Sequence, residues 1–220
     1  MGEERRAAPR RRWRLGGSRS FRLLLAAIAL TLAEGLAADA STGSPDSKPR
    51  ALALSTQALY ATYDPWSEYL ASESVCPGGE RTDLPVAQQE ATVVCLINFA
   101  RTRRGLRVLS VASVLSGGST RKAAAIRRCG VFAHNPCGGD WKSAVRSNGY
   151  VGAFGENLYL ARGPWAAPRV AVDAWLHSVR HRATLFAPKW REQGLALITL
   201  DSFGGKADVS LWVSVLGEGP

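Results

Sequence analysis

Four cysteines, at positions 76, 95, 129 and 137, follow an N-terminus that reads as an export signal. Together the two features do most to restrict what this chain can become. Residues 1–22 carry eight arginines, and the apolar run Leu23–Ala33 comes next, eleven residues long. A bilayer span needs about 20 apolar residues, and Glu34 and Gly35 close this run early. Ala38-Asp39-Ala40 supplies a small-x-small cleavage site. The expected organisation is a signal peptide over 1–40, a leader over 41–83 and one domain over 84–220, secreted, with no membrane span in the mature protein. In an oxidising compartment four cysteines are expected to form disulfides rather than thiolate sites. Four allow three connectivities. Neighbour order favours Cys76–Cys95 and Cys129–Cys137. Each bridge would stabilise the fold by roughly 2.5–3.5 kcal/mol on the loop-entropy estimate.

Charge says less than it first suggests. The formal net charge is +10, but removing residues 1–40 takes eight arginines and four acidic residues and leaves +6. That is a solvated basic surface suited to anionic envelopes. No basic stripe interleaved with aromatics points to nucleic acid.

The leader divides at about residue 50. STGSPDSKPR, residues 41–50, is polar and expected to be disordered. Residues 51–72 hold enough aromatic and aliphatic side chains for a short docking helix. Apolar spacing predicts a helix over 86–104, capped by Thr82 or Asp83 and ended by Gly105. A second is expected over 111–128, weakened by Gly117-Gly118 at about 1 kcal/mol per glycine. A short third spans 141–147, capped by Asp140, and a fourth spans 168–178. GLALITLD and DVSLWVSVLG read as strands joined across SFGGKA, and Gly155 reads as the end of another strand. The result is an α+β domain.

Its chemistry-bearing residues are few. His134 sits between Cys129 and Cys137. Glu156 lies in FGENLYLARG. His177 and His181 are four apart, and would share a face if one helix carried both. Asn98 interrupts the first helix, where asparagine is a poor residue, so it is expected to bond a neighbouring loop. Trp175, Trp190 and Trp212 read as core. There is no G-x-S-x-G nucleophile motif. A zinc site at Cys129, His134 and Cys137 would have a spacing that fits no common structural pattern.

In order, LINFARTRRGLRVL, FAH, GY before GEN, a tryptophan helix leading to SVRHRATLF, GLALI and LWVSVLG resemble the CAP superfamily. That superfamily groups cysteine-rich secretory proteins, antigen 5 and pathogenesis-related 1 proteins, and the likeness is to its secreted bacterial branch. It runs from about Val86 to Gly217. It implies a three-layer α-β-α sandwich around an antiparallel sheet. It also implies a cleft with His134, Glu156 and His181, and structural roles for Asn98, Arg101, Asn157 and Trp175. Where many relatives have a second glutamate, this chain has Ser178. Arg180 replaces the usual glycine before the second histidine, and a cation there disfavours both protonation and a divalent ion.

Two imidazoles and a carboxylate can hold Zn²⁺ or another divalent cation with a position open for water. They can also run acid–base chemistry, or simply tie the cleft walls together. The expectation is a monomeric, extracellular binding module for a lipid, a sterol or an envelope ligand. It needs no cofactor. The alternatives are a metal-assisted hydrolase or protease using the same cleft and a structural or host-facing surface protein.

Overall fold

Side-chain alternation in the last strand sets the architecture. Val209, Leu211, Val213 and Val215 enter one buried cluster, and Trp212 and Leu216 enter another. A strand points successive side chains to opposite faces. This one is apolar on both, so both faces must be covered.

The computed structural model describes residues 64–219. The signal peptide expected over 1–40, the polar stretch 41–50 and residues 51–63 of the docking segment lie outside them. In chain order the elements are a 3-10 turn (Ser67–Tyr69), α1 (Val86–Arg103), β1 (Ser110–Val111), α2 (Ser113–Cys129), α3 (Ser143–Arg146), β2 (Phe154–Arg162), a 3-10 turn (Gly163–Ala166), α4 (Pro168–His177), α5 (Val179–Leu185), β3 (Glu192–Phe203) and β4 (Lys206–Gly217). The sheet runs β1-β3-β4-β2. Only the short β1–β3 pairing is parallel. Helices α1 and α4 cover one face with Val93, Leu96, Ile97, Val172, Trp175 and Leu176, packed on Leu195, Leu197, Trp212 and Leu216. Helices α2 and α3 cover the other with Leu115, Ala123, Ile126 and Val145, packed on Ala196, Leu211, Val213 and Val215. The α+β class and its three layers are as expected, and Trp175, Trp190 and Trp212 are all buried.

Several local readings change. Gly155 does not end a strand; it is the second residue of β2. The polar pair Glu156-Asn157 hides the alternation of that edge strand. Neither Thr82 nor Asp83 caps α1. Pro85 holds the N-cap position without a side-chain bond, and Asp83 pairs with Arg81 at 2.6 Å. Val111, expected to open the second helix, is strand together with Ser110, because Ser110 N–H donates to Arg191 O just before β3 and Ala112 N–H to Gln193 O on it. The second and third helices shorten to α2 and α3, and Lys142 rather than Asp140 is the N-cap of α3, although Asp140 Oδ1 accepts from Lys142 N–H at 3.0 Å. The glycines within α2 have a packing reason. A Cβ on Gly118 would press on the Val145 backbone at 3.0 Å, and one on Gly117 would strike Asn148. The expected fourth helix ends at His177. Ser178 is extended, with φ −88° and ψ 120°, so His177 and His181 fall in separate helices and do not share a face.

The segment before α1 is fastened to the domain. Cys76 is disulfide-bonded to Cys95 on α1, and Ala71 and Cys76 are buried in the α1–α4 core. Asn98 does what a misfit helix asparagine should. Its Oδ1 accepts from Leu109 N–H at 2.8 Å and its Nδ2 donates to Leu109 O at 3.0 Å. Arg101 is fully buried without a carboxylate and donates to the carbonyls of Arg107, Leu185 and Ala187. Burial, and then the Arg107 charge, pulls its pKa down from the ordinary arginine value.

Candidate functional site

β2 lies at the sheet edge, so its two faces are reached from both helical layers. Glu156 has the parity of Phe154 and Leu158, which pack with α2 and α3. Asn157 has the opposite parity, and its Nδ2 donates to His181 O on α5 at 3.1 Å.

On the α2 side three charged or titratable groups converge. Glu156 Oε1 lies 2.7 Å from His134 Nδ1. Its Oε2 lies 3.3 Å from Lys122 Nζ, an ion pair that lacks hydrogen-bond geometry. Lys122 is only 2% exposed. Its ammonium also donates to Trp141 O at 2.7 Å and, at short range, to His134 O. The lysine therefore neutralises Glu156 and pins the backbone that presents His134. The second disulfide, Cys129–Cys137, ties the same loop to the end of α2, so the loop is held at two points. His134 itself is about half exposed, at 51% for its side chain. The carboxylate can only accept, so Nδ1 carries the hydrogen, and in the neutral ring Nε2 is then the acceptor.

Around them opens a cleft of about 730 Å³ lined by His134, Asn135, Trp141, Phe154, Glu156 and Thr184, among others. Trp141 and Phe154 meet edge to face with centroids 5.2 Å apart. Thr184, the hydroxyl in the lining, donates to Arg180 O at 3.3 Å. His181 is half-buried nearby. Burial, and after it the His134 charge, lowers its pKa below the ordinary histidine value.

The structure thus joins His134 to Glu156 directly, whereas the hydrogen bond to His181 is to its backbone, from Asn157. Among the described residues, the His/Asp/Glu side chains whose donor atoms all lie within 4.8 Å of one another are Asp64, Asp173 and His177. His134, Glu156 and His181 do not form such a set, and the cation nearest Glu156 is the protein's own lysine.

Sequence reading passed over Lys122. In RKAAAIRRC it looks like part of a solvated basic face. The signal lay in its register, because Leu115, Ser119, Lys122 and Ile126 recur at helical spacing and all four are buried.

No family model and no curated protein matches the sequence. Solved structures that resemble the fold include the following three. One is an extracellular protein containing an SCP domain from Bacillus anthracis, with TM-score 0.49 and 16% identity over 60% of this chain and 41% of that one. Another is a cysteine-rich secretory protein from Staphylococcus aureus, with TM-score 0.46 and 15% identity over 62% and 40%. The third is an outer surface protein from Borrelia burgdorferi, with TM-score 0.49 and 17% identity over 62% and 97%. The structural neighbours include SCP-domain proteins. This chain spans about two-fifths of the length of the Bacillus and Staphylococcus chains and nearly all of the Borrelia one.

Proposed function

We propose that this is a secreted CAP-type binding module whose cleft takes an amphipathic organic ligand such as a fatty acid or a sterol, without metal and without turnover. One observation carries the reading. Glu156 already has its two partners, His134 and the buried Lys122. A carboxylate paired with an ammonium at 3.3 Å has little charge left to offer a divalent ion, and His181 is not brought to it. The donor set of the cleft therefore does not suit Zn²⁺.

What remains free is recognition chemistry. Trp141 and Phe154 form an apolar wall, His134 Nε2 is an acceptor at its edge, and the volume lies in the range of small-molecule sites. An apolar body against the aromatic pair satisfies both when a sterol hydroxyl donates to His134 Nε2, or when a fatty-acid carboxylate accepts from that nitrogen in the protonated ring. The two disulfides support an extracellular location.

A second reading rests on the Glu156–His134 pair, which is a base oriented by a carboxylate. As a hydrolase it would have to activate water, since Thr184 spends its hydroxyl proton on Arg180 O.

Titration with a fluorescent unsaturated fatty acid and a fluorescent sterol separates the two. The module should bind one of these probes saturably, and Trp141→Ala should weaken it at least tenfold. His134→Ala should leave the fold and most of the affinity in place. Failure of both probes sinks the binding reading. Turnover of ester or peptide substrates that His134→Ala abolishes would favour the hydrolase.

A further inference from the structure

His177 closes α4 outside the cleft and is about half exposed. Its surroundings are nevertheless specific. Nδ1 lies 3.0 Å from the backbone carbonyl of Asp173, one turn earlier on α4. A carbonyl can only accept, so Nδ1 carries the hydrogen. Nε2 lies 3.0 Å from Asp64 Oδ1. With Nδ1 protonated, the neutral ring aims a bare lone pair at a carboxylate. That contact is repulsive unless a cation, either a proton or a metal ion, stands between them. A backbone carbonyl on one ring nitrogen, with the other nitrogen left for an ion, is the arrangement that metal-ligating histidines adopt.

The carboxylates add two further observations. Asp64 is oriented by its own turn, since Trp66 N–H donates to Oδ1 at 2.8 Å. Asp173 Oδ1 is shielded from solvent, lies 3.1 Å from His177 Nδ1 and has no hydrogen-bond partner. One donor atom from each of Asp64, Asp173 and His177 falls within 4.8 Å of the other two. The nearby Arg182 guanidinium is engaged elsewhere, stacked 4.0 Å over Trp66 and bonded to Leu176 O at 2.5 Å.

We propose that Asp64, Asp173 and His177 form a divalent-cation site separate from the cleft. One imidazole and two carboxylates make a mixed nitrogen and oxygen set, which suits Zn²⁺ with water completing the shell. Asp64 belongs to the segment ahead of α1, and the other two belong to α4. A bound ion would therefore fasten that segment to α4, as the Cys76–Cys95 bridge fastens it to α1.

The test is a calorimetric Zn²⁺ titration of the protein with both disulfides intact, at about pH 8 so that protons compete little with the metal. Asp64→Asn, His177→Gln and His134→Gln are titrated beside it. One saturable site is expected, weakened at least tenfold by Asp64→Asn and by His177→Gln and unchanged by His134→Gln. Zn²⁺ should also raise the melting midpoint of the wild type and fail to raise that of the two site variants. No saturable binding up to about 1 mM, or binding that both site variants retain, overturns the proposal. Binding lost in His134→Gln instead would overturn it and return the metal to the cleft. Because the fatty-acid and sterol titration involves no metal, the two ideas fail independently.

Discussion

At the scale of single residues, one lysine decides how the cleft is read. Lys122 and Glu156 are oppositely charged side chains removed from water, at 2% and 0% side-chain exposure. Removing one partner of such a pair leaves an uncompensated charge and costs about 3–5 kcal/mol. Lys122→Met should destabilise by that order, and it also strands the carbonyls of His134 and Trp141. Adding Glu156→Gln should recover at least about 1 kcal/mol of the loss, because residues in one charge network do not act additively. Denaturant melts of the two single variants and the double variant measure it. Losses that sum to within about 0.5 kcal/mol would mean that the pair is uncoupled. Legibility at this scale followed the type of signal. His134, Glu156 and Asn98 stood out because such residues are costly or rare in their settings. Lys122 did not, because a lysine among arginines is ordinary and only its place on a buried stripe marks it. Asp64 and Asp173 are unremarkable as letters, since two side chains that folding brings together lie 109 positions apart in the chain.

At the scale of elements, the hairpin and the long helices were legible because their apolar periods are strong. β2 was not, because its buried polar residues serve the cleft and break the alternation. The end of α4 was legible to within one residue, but α5 after it was not, because Leu185 is its one buried residue and no apolar period marks it. β3 shows how an element can be fixed by a side chain. Beyond Gln193 it has no β1 partner, and Glu90 on α1 accepts from Leu197 N–H at 2.9 Å. Burial raises the pKa of Glu90, and that backbone bond partly offsets the rise. A carboxyl whose folded pKa is raised contributes stability below the ordinary carboxylate range and loses it as pH climbs through the raised value. Glu90→Gln keeps an oxygen for Leu197 N–H and removes the charge. Its stability relative to wild type should therefore increase from about pH 3.5 to about pH 7. A difference that stays flat across that range would show that the bond, not the buried charge, dominates.

At the scale of the whole molecule, a single sheet separates two cores of different composition. Trp175, Trp190 and Trp212 all belong to the core under α1 and α4, whereas Leu115, Ile126 and Val145 belong to the core under α2 and α3. The same β3 and β4 backbones carry both, with alternate residues committed to opposite sides. Neither face can lose its helices without exposing the sheet that the other face needs, so the described domain should unfold as one cooperative unit. Leu115→Ala empties a fully buried position in the α2 core and should cost about 2–5 kcal/mol. Tryptophan fluorescence reports mainly the opposite core, yet its midpoint should move by the same amount as that of far-ultraviolet circular dichroism. If fluorescence held its wild-type midpoint while the amide signal fell early, the two cores would be separate folding units. The cleft at the edge of β2, built from the α2 layer with α5 beside it, would then open without global unfolding. Coincident midpoints would mean that the α1–α4 core, which contributes no side chain to the cleft lining described above, still holds the walls of the cleft in place through the shared sheet.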